Sequence, residues 1–242
     1  MANRQRAEAR RKAADKAARQ DGESSKTGMW IAVAIVLVLG VGGVIWAVNR
    51  NGSSSPAAVS TTTGVLSNLP DSQPVKVTGT PLPAYDSKQN PDLAVGKDVP
   101  VLEGKNFAGD PIVIDKSKGA TMVVFLAHWC PHCNAEIPRL LDWKHSGQVP
   151  PELNVVGVAT AVSKTSVNFP PGQWFSNKGW DWPVMVDQSN GDGAAGVAAD
   201  AYGATGWPYI VIFGADGKVK VRVSGEVEIT ELQKIVDAAL KA

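Results

Sequence analysis

Residues 121–139 read Thr121-Met-Val-Val-Phe-Leu-Ala-His-Trp-Cys-Pro-His-Cys-Asn-Ala-Glu-Ile-Pro-Arg139, and the fold follows from the point at which this stretch changes its spacing. Met122 to Ala127 is a short apolar run with β-branched members, the pattern of a buried strand. After His128 and Trp129 the period becomes helical, with Ile137, Leu140 and Leu141 on one face. Pro131 suits the first position of that helix, where its missing N–H costs nothing. Cys130 is therefore expected at the N-cap, over free backbone N–H groups and the positive end of the helix dipole.

That position favours the thiolate, the reactive form of cysteine. His132 is placed to add positive charge or a hydrogen bond to the same sulfur. Cys133 lies one turn further in, within reach of a mixed disulfide formed at Cys130. A pair so spaced suits disulfide exchange, with Cys130 as nucleophile and Cys133 as resolving thiol. The chain has only two cysteines, so a structural disulfide framework is excluded, and a Cys130–Cys133 bridge would be short and functional. The rival reading of a lone CxxC is half a zinc site. His128, His132 and His145 would have to supply the missing ligands, since there is no second CxxC. Haem attachment needs His where Asn134 stands. Neither a metal nor a cofactor is expected.

Val-Val-Phe-Leu-Ala-His-Trp-Cys-Pro-His-Cys resembles the active site of the thioredoxin superfamily. Cys130-Pro-His-Cys133 is similar to the motif of the oxidising disulfide-bond-forming proteins of the bacterial envelope, the DsbA type. Asn134-Ala-Glu-Ile-Pro138 is more similar to the membrane-anchored oxidoreductases related to TlpA and ResA, redoxins of the AhpC/TSA type. The resemblance covers roughly the C-terminal 150 residues, an ordinary domain size. It implies that Pro208, in Gly206-Trp-Pro-Tyr209, is a cis-proline facing the CxxC, whose surrounding backbone pairs with substrate. An ordinary trans-proline at a strand start is the alternative. Trp207 departs from the small or β-branched residue usual before this proline; it would cover the disulfide or narrow the range of partners. Trp129 is the family's usual residue before the CxxC, for docking or for packing. Thioredoxin's buried Asp is replaced by Val124. Glu136 matches the acidic residue of the TlpA/ResA motif, as a proton acceptor through a water or as a solvated acid in the first helical turn.

Around this stretch the chain has 242 residues and a net charge of +1, which argues against nucleic acid as the main partner. Residues 1–28 hold eight basic and four acidic side chains and read as a solvated cytoplasmic tail, or as a helix on a membrane surface. Residues 29–48 carry no charge; at ~1.5 Å per residue they match the ~30 Å hydrocarbon core. Trp30 and Trp46 stand near the two interfaces. A cleaved signal peptide would have a shorter apolar region and a small-x-small site, which Ala47-Val-Asn49 does not provide. A single anchor with its N-terminus inside follows from the basic cluster ahead of it. Residues 49–90 are rich in Ser, Thr, Pro, Gly and Ala and read as a flexible extracytoplasmic linker. Residues 91–242 are the expected folded domain.

Within that domain, residues 99–102 and 111–115 suggest a β-hairpin, residues 153–159 a buried strand and residues 183–187 a short strand. A short helix is expected near 173–178 and an Ala-rich one over 193–202. A hairpin then turns at Gly214-Ala-Asp-Gly217. An amphipathic helix closes the chain over 229–240, with Leu232, Ile235, Val236 and Leu240 inward. The sum is α/β, a mixed sheet flanked by helices, which the resemblance implies is thioredoxin-like, preceded by one transmembrane helix.

The function expected is a membrane-tethered thiol–disulfide oxidoreductase. Its partners would be extracytoplasmic protein thiols and disulfides, a membrane redox partner that recycles the pair, and the bilayer through residues 29–48. His132 and the absent buried Asp lean towards an oxidising pair. Glu136 and the anchored layout fit a reductase, such as those serving cytochrome c maturation. A peroxidase is disfavoured, because the Pro-x-x-x-Thr-x-x-Cys arrangement of peroxiredoxins is missing. A non-catalytic module holding Cu(I) or a partner is the alternative from another class; only Met122 and Met185 lie in the domain to support it.

Overall fold

The computed structural model describes residues 69–242. The tail and membrane span expected over residues 1–48, and the linker as far as residue 68, lie outside the described residues. Among the described residues no helix is long and apolar enough to cross a membrane.

The run after residue 121 is a strand because both its faces are covered. It forms β4 (Thr121–Leu126), following β1 (Lys76–Thr78), β2 (Val101–Lys105) and β3 (Pro111–Ile114). Met122, Val124 and Leu126 pack into one apolar cluster with Ile137, Leu140 and Trp143. Val123 and Phe125 pack into another with Tyr202, Tyr209 and Leu102. Period-2 alternation puts neighbours on opposite faces, so a strand with helices and loops on both sides reads as continuously apolar.

The remaining elements are α1 (Pro131–His145), β5 (Asn154–Ala159), α2 (Pro171–Asn177), β6 (Val184–Val186), α3 (Val197–Ala201), β7 (Tyr209–Phe213), β8 (Val219–Ser224) and α4 (Ile229–Lys241). Strand order is β1-β2-β6-β5-β4-β7-β8, with β3 beside β2. β4 runs parallel to β5 and antiparallel to β7. Parallel neighbours need a helical crossover, which α1 supplies. This mixed sheet with flanking helices is a thioredoxin-like fold. The two hairpins form as expected, β2 with β3 and β7 with β8. In α4, Leu232, Val236 and Ala239 are buried, while Ile235 and Leu240 pack at the cluster's margin.

Two expectations are corrected. The domain does not begin at residue 91: β1 pairs with β2, and Val75 and Leu82 are buried. The cause is Arg222, a buried guanidinium on β8. It pairs with Asp92 and donates to the Pro83 carbonyl at 2.6 Å. A buried charge needs such partners, and residues 81–92 provide them. Their backbone joins Gly203 through Tyr85 N–H at 2.8 Å. Gly203 has φ +73°, and a Cβ there would strike the Pro83 carbonyl, so glycine is required. The second correction is α3, which spans only Val197–Ala201 rather than 193–202. Gly193 has φ +71°, outside the helical region. The helix starts where the buried Asp187 carboxylate accepts from Ala198 N–H at 2.7 Å and Ala199 N–H at 3.2 Å.

Candidate active site

β4 ends against α1 at the CxxC. Cys130 is the N-cap, with extended backbone, and Pro131 opens the helix. Both cysteines are free and buried, but to different degrees of consequence. Cys130 lies at the surface end, its Sγ 3.5 Å from the Trp207 carbonyl. Cys133 is fully enclosed and accepts from Ala127 N–H at 3.4 Å.

This geometry splits the two thiols. Cys130 is lowered to about 6, first by the hydrogen bond from the Cys133 thiol. Burial opposes, and the N–H groups of Cys133 and His132, with the His132 charge, add to the lowering. Burial drives Cys133 far above the ordinary thiol range, and its hydrogen bond to Cys130 pushes the same way. One sulfur is thus held ready as a thiolate while its neighbour keeps its proton.

His132 and Pro131 are exposed at the helix mouth. The His132 Nδ1 lies 2.7 Å from the Glu226 carboxylate, and that hydrogen bond raises its pKa. Glu136 is fully buried, in the second helical turn. The solvated first-turn reading is therefore corrected: three residues after Cys133, the helical period returns Glu136 to the inward face. Burial raises its carboxyl to about 7, against the Val227 N–H it accepts and the Arg139 charge. The Val227 bonds are 3.4 and 3.3 Å, and Arg139 lies 3.6 Å away. A carboxyl in this state, whose charge acts on Cys133, is suited to exchange a proton with it.

Trp207-Pro208 is a cis peptide, as the resemblance implies. Trp207 is half-buried and touches both apolar clusters. Trp129 is half-buried, and its indole N–H is spent on the Ala161 carbonyl at 2.6 Å. The three histidines do not converge. His128 uses both ring nitrogens, Nδ1 on the Val167 carbonyl at 2.8 Å and Nε2 accepting from Ser163 N–H at 3.2 Å. Those partners place the proton on Nδ1, and burial holds His128 below its ordinary pKa. His145 ends α1, 3.4 Å from Asp181.

Sequence reasoning missed three members of the site. Asn134 donates to the carbonyls of His128 at 3.2 Å and Cys130 at 3.0 Å. It also accepts from Trp174 Nε1 at 2.9 Å, so one amide fastens the active-site turn. Its place four residues after Cys130 was a usable signal. Glu226 and Arg139 meet at 2.8 Å; nothing local marks Glu226, 94 residues from its histidine.

The sequence pattern of the AhpC/TSA family matches residues 95–222. No curated protein sequence matches the chain. Among solved structures, StoA from Bacillus subtilis is 18% identical over 56% of this chain and 96% of its own, with TM-score 0.46. A thioredoxin-family thiol:disulfide interchange protein of Chlorobium tepidum is 24% identical over 60% of this chain and 96% of its own, with TM-score 0.47. A secreted Mycobacterium tuberculosis disulfide oxidoreductase, homologous to E. coli DsbE, is 22% identical over 56% of this chain and 94% of its own, with TM-score 0.44.

Proposed function

The chain belongs to the AhpC/TSA family; from that premise we propose that it is a thiol–disulfide oxidoreductase working on extracytoplasmic proteins, tethered by residues 29–48 and poised to oxidise. The observation that carries the reading is the placement of the two thiols: Cys130 caps α1 with its Sγ 3.5 Å from the Trp207 carbonyl, while Cys133 is fully enclosed one turn in, a placement that lowers the Cys130 pKa and raises that of Cys133.

In the oxidising direction a substrate thiolate attacks the Cys130 sulfur of the Cys130–Cys133 disulfide. Cys133 leaves as a thiolate and takes a proton from Glu136. A second substrate thiolate attacks the substrate sulfur of the mixed disulfide, and Cys130 leaves as a thiolate. Two electrons pass from the substrate dithiol to the pair, and a membrane redox partner removes them. A low pKa at Cys130 makes it a good leaving group and stabilises the reduced pair, which supports an oxidant. Trp207, whose carbonyl lies 3.5 Å from the sulfur, and Pro208 after it form the surface on which substrate lies, with Trp129 directly before Cys130 in the chain.

One observation favours the reverse. Glu136, buried and titrating near 7, also suits removing the Cys133 proton so that Cys133 can resolve a mixed disulfide as a TlpA/ResA-like reductase.

Refolding of reduced ribonuclease and reduction of insulin separate the directions, with Cys130→Ser as control. Faster ribonuclease oxidation, abolished by Cys130→Ser, is the expected result. Thiol trapping in cells should find the pair oxidised, and fractionation should find the chain in membranes with its C-terminal domain open to external protease. A predominantly reduced pair would replace the oxidase by the reductase, and a soluble cytoplasmic chain would remove the tether.

A further inference from the structure

Glu226 lies in the turn between β8 and α4, and its two carboxylate oxygens point at two different cations of α1. Oε1 is 2.7 Å from His132 Nδ1 and Oε2 is 2.8 Å from Arg139 Nη1. Its side chain is 28% exposed against 66% for His132, so the carboxylate is the sheltered partner and the imidazole the exposed one. The backbone around it is tethered as well. Gly225 N–H donates to the Pro208 carbonyl at 2.8 Å, and Val227 N–H donates to Glu136. Arg139 is drawn towards Glu136 at 3.6 Å and Glu228 at 3.8 Å, which leaves Glu226 as the acid that faces His132. An exposed histidine at a helix mouth samples many rotamers; a carboxylate fixed on one side by a guanidinium restricts it.

We infer that Glu226 is a positioning residue for the reaction: anchored by Arg139, it holds the His132 imidazolium at the mouth of α1 and so keeps a positive charge beside the Cys130 sulfur. This rests on the reading of Cys130 as the nucleophile. The influence has a sign that reveals its route. Acting through His132, Glu226 favours the thiolate. Acting directly, its negative charge would disfavour it.

The test is the pH profile of iodoacetamide alkylation of Cys130 in the reduced full chain, with Cys133 shielded by burial. Glu226→Gln should move the midpoint up by roughly half a pH unit, the low end expected for an exposed opposite charge, and so slow alkylation about threefold below the midpoint. His132→Ala should give the same displacement, and adding Glu226→Gln to it should give no further upward movement. A downward displacement, none at all, or an equal upward one without His132 overturns the inference while leaving Cys130 as nucleophile. A parent chain titrating near the ordinary thiol value of about 8.5 overturns the nucleophile reading itself.

Discussion

Glu136 illustrates how one buried side chain links chemistry to stability. Its carboxyl titrates near 7 in the fold because burial opposes the charge, against about 4.3 in an unfolded chain. A carboxyl raised in this way adds stability below its unfolded pKa, and that contribution is lost as pH rises through its folded value. Glu136→Gln, which never ionises, should therefore gain thermal stability relative to the parent between about pH 4 and pH 7. A parallel pair of melting curves against pH checks this; a constant difference would show that folding leaves the Glu136 pKa unchanged. The same variant should let mixed disulfides at Cys130 accumulate in the reductive direction without slowing Cys130 alkylation. Spacing alone could match Glu136 to a motif. It could not say that the carboxyl is dry, because dryness depends on Val227 and the turn that carries it, 91 residues away.

At the scale of the element, α1 carries a defect that its neighbours repair. Pro138 sits inside the helix and has no N–H for the carbonyl of Asn134 four residues earlier. Lys178, the residue that caps α2, donates to that carbonyl at 3.2 Å. Lys178→Met should cost about 1 kcal/mol, the ordinary worth of such a bond. In the Pro138→Ala background, where residue 138 regains its N–H, the cost should fall towards zero. Urea unfolding of the four chains measures the coupling. The helix itself was legible from Pro131 onward, as were β4 and both hairpins, because each answers to a period or a turn residue. The start of α3 was not, because alanine content says nothing of where a tertiary cap such as Asp187 will begin a helix.

For the whole molecule, the boundary between linker and domain is where composition misleads. Residues 69–90 look like linker, yet they bury Val75 and Leu82 and supply the Pro83 carbonyl to Arg222. A fragment of residues 91–242 should be less stable than one of residues 69–242 by several kcal/mol. Two buried apolar side chains contribute about 1.5–3 kcal/mol each, and a guanidinium stripped of one partner adds to the loss. Chemical denaturation of both fragments decides it; equal midpoints would return these residues to the linker.

By itself the sequence located the Cys130–Cys133 pair, the helix start at which it sits and the α/β class. All of these are set by residues close along the chain, through periodicity and capping. Only the tertiary structure decided which distant groups surround the pair: Glu226 on His132, Val227 on Glu136, and the segment before residue 91 on Arg222. These contacts join residues about 90 or more positions apart. Burial and Coulomb interactions depend on separation in space, and folding alone sets that separation for residues so far apart.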